Sequence, residues 1–135
     1  IHNIKDIDLI VHLGDYVRDA EYIESLYPEY SHSYVRGNCD YSSNVSDEKI
    51  LTSEGYRILL THGHGYGVKS GTDRLLRYAK QKEVNCVLFG HTHLKKCEWE
   101  DNILLLNPGS GSLDSSSPSI GIIEIENNIL KGCVL

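Results

Sequence analysis

Short apolar runs alternate with polar, glycine-containing stretches along the chain. Residues 9–13 and Cys86–Phe89 are apolar at almost every position, which is typical of strands buried on both faces of a mainly parallel sheet. Residues 33–35 predict a further, shorter strand. Each of these strands ends at a glycine or reaches one within two residues, so the chain can turn sharply at that point.

Two segments space their apolar residues for helices rather than strands. Residues 19–30 carry such a pattern, with Asp19 as the expected N-cap, and residues 72–82 carry another behind Thr72. Residues 1–6 resemble the last turn of a further amphipathic helix.

Three pairs of runs predict antiparallel hairpins, because each pair flanks a short turn of polar residues or glycine. The pairs are 49–51 with 56–60, 96–100 with 103–106, and 120–125 with 129–134. A strand–helix–strand half followed by hairpins predicts a mixed α/β fold built in layers. At 135 residues the chain is expected to form a single domain over 1–135.

Four predicted strands end in side chains that bind metals. These four strands are followed, in chain order, by Gly14-Asp15, Gly37-Asn38-Cys39-Asp40, His62-Gly63-His64 and Gly90-His91-Thr92-His93. Open α/β sheets bind ligands at the carboxyl ends of their strands, so these side chains are expected at one edge. A carboxylate, an amide oxygen and imidazoles suit two borderline divalent ions, with the carboxylate between them.

Composition narrows the classes of partner. The formal net charge is −6, which argues against non-specific binding of nucleic acid, and no basic patch stands out in the sequence. The four cysteines form no CxxC pair, and no signal peptide or membrane-length apolar run is present. We therefore expect a cytoplasmic protein, most simply an enzyme, without a membrane partner.

The ordered set GD, GNCD, HGH, GHTH and NPGS resembles the calcineurin-like metallophosphoesterase superfamily, and within it the small phosphodiesterases of the YfcE type. The resemblance implies a sandwich of two mixed β-sheets flanked by helices. It also implies two divalent ions, manganese first, with iron, nickel or zinc as alternatives. Asp15 matches the bridging aspartate, Asn38, His62 and His91 match ligands of one ion, and His93 matches a ligand of the other. Catalysis is expected to depend on Asp15, Asn38, His62 and His91.

The implied activity is hydrolysis of phosphate esters, chiefly a small phosphodiester, by a hydroxide that bridges the two ions.

Three neighbours of the ligands are candidates for supporting roles. Cys39 stands where many members of the superfamily carry a histidine thought to protonate the leaving group, which makes His64 a candidate acid instead. Asp40 is expected to orient a histidine. The sequence leaves open whether the protein forms a homo-oligomer.

One motif of the family, Asp-x-His, is absent, and the sequence opens on Ile1 with no methionine in it. We expect a preceding strand and helix that carry this motif in the natural protein. Two alternatives to the enzyme remain. One is a non-catalytic, protein-binding scaffold of the same fold, as in the small retromer subunit, and the other is an inactive, truncated phosphoesterase.

Overall fold

The computed structural model describes residues 6–40, 44–111 and 118–135, so most of the predicted helix end at 1–6 and of the serine-rich segment 110–119 lies outside the described residues. The described residues form nine strands and two α-helices. Their bounds are β1 Leu9–His12, α1 Val17–Leu26, β2 Ser31–Tyr34, β3 Glu48–Ser53, β4 Tyr56–Thr61, α2 Asp73–Gln81, β5 Cys86–Phe89, β6 Lys96–Glu100, β7 Ile103–Asn107, β8 Gly121–Glu126 and β9 Ile129–Val134.

A five-stranded mixed sheet forms the centre of the fold, in the order β3-β4-β5-β7-β6. Its three inner strands are parallel to one another, and the two edge strands run antiparallel to their neighbours. Helix α2 connects β4 to β5, as parallel strands require a crossover. The predicted mixed α/β fold is therefore confirmed, as are the three hairpins.

One face of this sheet packs against α2. Successive strand residues point to opposite faces, and the register aligns Leu59, Val87 and Leu105 across the three inner strands. These residues are fully buried against Leu75 and Ala79 of α2. The helical spacing predicted for residues 72–82 is thus confirmed by the side that α2 buries.

The opposite face, which includes Leu60 and Leu104, packs against β1 and the β8–β9 hairpin through residues such as Val11 and Ile123. This layer consists of two separate pieces within the described residues, a parallel pair β1–β2 and the hairpin. Helix α1 lies over the β1–β2 pair, where Ala20 is buried.

Two local expectations were wrong. Strand β1 is only partly buried, with Leu9 39% exposed, because β2 is its one hydrogen-bonded neighbour among the described strands. Helix α1 begins at Val17 rather than after Asp19, since a side chain from a distant loop caps it, as described below. No helix in the described part of the chain is long and apolar enough to cross a membrane.

The sheet core gives a direct prediction of stability. Leu105→Ala removes a fully buried side chain from the centre of the sheet, so the free energy of unfolding should fall by about 2–5 kcal/mol. Leu26→Ala, at a helix position that is 53% exposed, is the matched control and should cost far less. Urea denaturation followed by circular dichroism measures both, and equal losses would contradict the assignment of the core.

Candidate metal centre

The loops that follow four strands meet at one edge of the fold. Asp15 follows β1, Asn38 follows β2, His62 follows β4, and His91 and His93 follow β5. This edge is the carboxyl end of β4 and β5, which are neighbours in the central sheet. The convergence expected from the sequence is therefore present in the structure.

His62 lies at the centre of the cluster and is 2% exposed. Its Nε2 is 3.0 Å from His91 Nδ1, 3.1 Å from Asn38 Oδ1 and 3.3 Å from Asp15 Oδ1. The ligand atoms of Asp15, His62 and His91 all lie within 4.8 Å of one another. Four side chains from four loops thus direct polar atoms at a single point.

The other nitrogen of His62 fixes the tautomer of the ring. His62 Nδ1–H donates to the carbonyl oxygen of Leu13 at 2.8 Å. Burial also lowers the pKa of His62, because it disfavours the imidazolium. A neutral ring that donates from Nδ1 presents a lone pair at Nε2, so Nε2 faces the oxygens of Asp15 and Asn38 as an acceptor.

This arrangement of acceptors fits a bound cation. Asp15 Oδ1 is buried and has no hydrogen-bond partner among the described residues, although buried oxygens rarely lack one. Atoms that bind one ion at 2.0–2.2 Å lie roughly 3.0–3.5 Å apart, which matches the distances measured around His62 Nε2. Nitrogen and oxygen donors together suit manganese, iron, nickel or zinc.

The second oxygen of Asp15 points toward a different ligand. His93 Nε2 lies 3.6 Å from Asp15 Oδ2, and its side chain is 62% exposed. The carboxylate of Asp15 therefore lies between the buried group around His62 and the exposed His93. A carboxylate placed in this way can bind one ion through each oxygen.

The backbone is strained at the predicted ligands. Asp15, His91 and His93 have positive φ angles of 56°, 69° and 59°. This left-handed region is uncommon for residues other than glycine, and each such residue costs of order 1–3 kcal/mol. Strain of this kind concentrates at functional sites, and a pattern of residue types does not reveal it.

Asp40 organises two of the loops. Its Oδ1 accepts hydrogen bonds from the backbone amides of Tyr16 and Val17 at 3.0 and 2.8 Å, and its Oδ2 accepts one from Gly37 at 2.8 Å. Asp40 thus caps α1 and joins the loop that carries Asp15 to its own loop. That Asp40 orients a histidine stays a prediction, since the hydrogen bonds seen among the described residues go to backbone amides.

Two glycines allow these loops to touch. A Cβ on Gly37 would lie 2.4 Å from the backbone nitrogen of Asp15 and 2.7 Å from Asp15 Oδ1. A Cβ on Gly14 would lie 2.8 Å from His62 Nδ1. Any side chain at either position would therefore displace a predicted ligand.

The role of Asn107 was not predicted from the sequence. This side chain is fully buried, and its Nδ2 donates to the Gly90 carbonyl and to Thr92 Oγ1, both at 3.0 Å. Its Oδ1 accepts from the amide of Gly109. Asn107 thereby holds the loop that carries His91 and His93. A polar residue that directly follows four apolar strand residues was the available signal.

The remaining polar neighbours border the cluster. His64 is exposed, with its ring centroid 5.5 Å from that of His62 and 6.2 Å from that of His91. Desolvation and the negative charge of Asp15 raise the pKa of the Cys39 thiol. Desolvation lowers the pKa of His91, and the positive charges of His62 and Lys69 add to this shift.

Gly37→Ala tests the contact between the loops. Because the new methyl group collides with Asp15, the affinity for manganese should fall by at least ~10-fold, in the range found when support of a metal ligand is lost. Gly65→Ala is the control, since a Cβ there meets nothing within 4 Å. Isothermal titration with manganese measures both. Wild-type affinity in folded Gly37→Ala would mean that Asp15 does not bind the ion.

Comparison with known proteins identifies the family. Residues 1–128 match the calcineurin-like phosphoesterase superfamily domain. A probable metallophosphoesterase of Bacillus subtilis, YsnB, is 32% identical over 126 residues, which cover 91% of this chain and 72% of the relative.

Solved structures share the fold. A conserved, uncharacterized protein of Streptococcus pneumoniae, described as a predicted phosphoesterase, aligns with a TM-score of 0.79 and 25% identity over 99% of this chain and 76% of its own. Vps29 of Entamoeba histolytica in complex with zinc aligns with a TM-score of 0.76 and 19% identity over 96% of this chain and 82% of its own. The match to the family domain shows that this chain belongs to the calcineurin-like phosphoesterase superfamily.

Proposed function

We propose that this protein hydrolyses phosphate esters, chiefly phosphodiesters, at a centre of two divalent cations. The observation that carries the proposal is the group of nitrogen and oxygen atoms around His62 Nε2, together with the buried Asp15 Oδ1 that lacks a hydrogen-bond partner among the described residues. A carboxylate oxygen is costly to bury in this way unless a cation binds it. Membership in the phosphoesterase superfamily supports the same chemistry.

The residues divide between two positions. Asp15, Asn38, His62 and His91 would hold one cation, and Asp15 with His93 would contribute to the other. Manganese is proposed first, with iron, nickel and zinc as alternatives, because imidazole suits each of them. When bound, the cations lower the pKa of water and stabilise the negative charge that develops on phosphoryl oxygens.

The protein itself holds these ligands and leaves room for the ester. The hydrogen bond from His62 to Leu13 presents Nε2 in its acceptor form. Asn38, His64 and His93 are exposed, so the site is open to solvent on the outer side. An open edge admits a substituent on each side of the phosphorus, as a diester requires.

Protonation of the leaving group is the step with the fewest candidates. The raised pKa of Cys39 keeps its thiol protonated at neutral pH, but a thiol is a weak acid. His64, with its ring 5.5 Å from that of His62, is the alternative donor. We therefore assign protonation of the leaving group to His64.

Asp15→Asn tests the activity. The substitution keeps the size of the side chain and removes the charge between the two cation positions, so hydrolysis of bis-p-nitrophenyl phosphate with manganese should fall at least ~100-fold. Asp101→Asn is the control, because Asp101 is exposed in the β6–β7 turn and pairs with Lys80 at the surface. Turnover of Asp15→Asn at the wild-type rate with full metal content would remove Asp15 from the mechanism.

His64→Ala tests the acid. If His64 protonates the leaving group, the variant should lose more activity on alkyl esters, whose leaving groups need a proton, than on nitrophenyl esters. The measurement is kcat/KM across a series of diesters that differ in the pKa of the leaving alcohol. An unchanged dependence on that pKa would exclude His64 as the acid.

A protein-binding scaffold is the second candidate, because the chain shares its fold with Vps29 structures. Metal-dependent turnover distinguishes the enzyme from the scaffold. Metal-dependent turnover that disappears in Asp15→Asn supports the enzyme, whereas folded, metal-loaded protein without turnover of any diester would favour the scaffold.

A further inference from the structure

Contrary to the expectation that the sequence contains no basic patch, one short segment of this acidic chain is basic. Residues 69–82 contain five of the 13 lysines and arginines and a single acidic residue, Asp73, although the chain as a whole carries a net charge of −6. The segment includes α2 and the 3₁₀ turn Val68–Ser70 that precedes it. It begins seven residues after His62, in the second of the two 3₁₀ turns that follow β4.

Two cations of this segment are uncompensated. Arg74 and Arg77 are exposed, and neither has an ion-pair or hydrogen-bond partner within residues 6–40, 44–111 and 118–135. Lys80 on the same helix, by contrast, pairs with Asp101 at 2.6 Å. Residues three apart on a helix lie on one face, so the two guanidinium groups share a side of α2.

These two arginines line a cavity. It has a volume of about 170 Å³, and Tyr66, Tyr78 and Gln81 complete its wall. The volume is sufficient for several water molecules or for a phosphate group. The donors available around it are two planar guanidinium groups and one carboxamide.

Tyr66 and Tyr78 form one wall of the cavity and are held in place by hydrogen bonds. Their ring centroids are 4.9 Å apart, and both hydroxyls donate to the carboxylate of Glu48, that of Tyr66 at 2.6 Å. These bonds and desolvation raise the pKa of both tyrosines, so their hydroxyls stay protonated. Glu48 accepts both hydroxyls and keeps its negative charge, but it forms no ion pair with Arg74 or Arg77 among the described residues.

The cavity lies close to the metal centre. Glu48 pairs across the sheet with Thr61, the residue before His62. Tyr66 is four residues beyond His62, and four residues span at most about 14 Å. The backbone of Tyr66, in the cavity wall, therefore lies within about 14 Å of that of His62, and this is the span that an extended substrate would bridge.

We propose that the cavity between Arg74, Arg77 and Tyr66 is a subsite for a second phosphate group of the substrate. The inference rests on the proposed function and narrows it to phosphodiesters that carry a further phosphate, as phosphorylated nucleotides do. Arginine binds phosphate through parallel N–H···O bonds, which gives both charge and orientation.

The test compares two substrates that differ only in one terminal phosphate, the thymidine dinucleotide TpT and its 5′-phosphorylated form pTpT. In manganese-loaded protein, kcat/KM should be at least ~10-fold higher for pTpT, as expected for charge-assisted hydrogen bonds at a partly exposed site. In Arg74→Gln/Arg77→Gln this preference should fall to nearly one. Lys80→Gln removes a charge from the same helix and should keep the wild-type preference.

Binding is measured independently of turnover by NMR of the guanidinium Nε–H signals. Addition of pTpT should shift the signals of Arg74 and Arg77, and TpT should shift them much less. Equal kcat/KM for the two dinucleotides, or no shift with pTpT, would overturn the subsite. Failure of the proposed function looks different, because bis-p-nitrophenyl phosphate, which has no second phosphate, would then not be hydrolysed either.

Discussion

The hydrogen bond from His62 Nδ1–H to the Leu13 carbonyl connects two strand ends that belong to different sheets. It brings β1 and its aspartate to the edge of the central sheet, and it fixes which nitrogen of His62 faces the cluster. Without it, Nε2 could carry a proton and donate to Asp15, and no cation would be needed. The chemistry of the site therefore depends on one buried tautomer.

Loop-to-loop contacts keep the ligands in place despite unfavourable backbone conformations. Asp40 ties the first two loops together through three amides, and Asn107 holds the loop that carries both histidines after β5. The positive φ angles of Asp15 and His91 are maintained because these hydrogen bonds, most of them partly buried, oppose relaxation. The core formed by β4, β5 and α2 supplies the stability that offsets this strain.

Apolar patterning predicted the central strands well, because β4, β5 and β7 are buried on both faces and read as continuous runs. Glycines followed by ligand side chains correctly indicated the edge where Asp15, His62 and His91 converge. The start of α1 was missed because its cap, Asp40, is more than 20 residues away in sequence. The excess of lysine and arginine in residues 69–82 is visible in the sequence, but the cavity was missed because it forms only when Tyr66 lies beside α2.

Anomalous scattering from a crystal grown with manganese tests the central claim most directly. The account predicts a peak at the point where the loops meet, about 2.0–2.3 Å from His62 Nε2 and from Asp15 Oδ1. His62 Nδ1 should remain within hydrogen-bond distance of the Leu13 carbonyl in that crystal. Manganese bound elsewhere in the molecule, with none near His62 Nε2, would contradict the account.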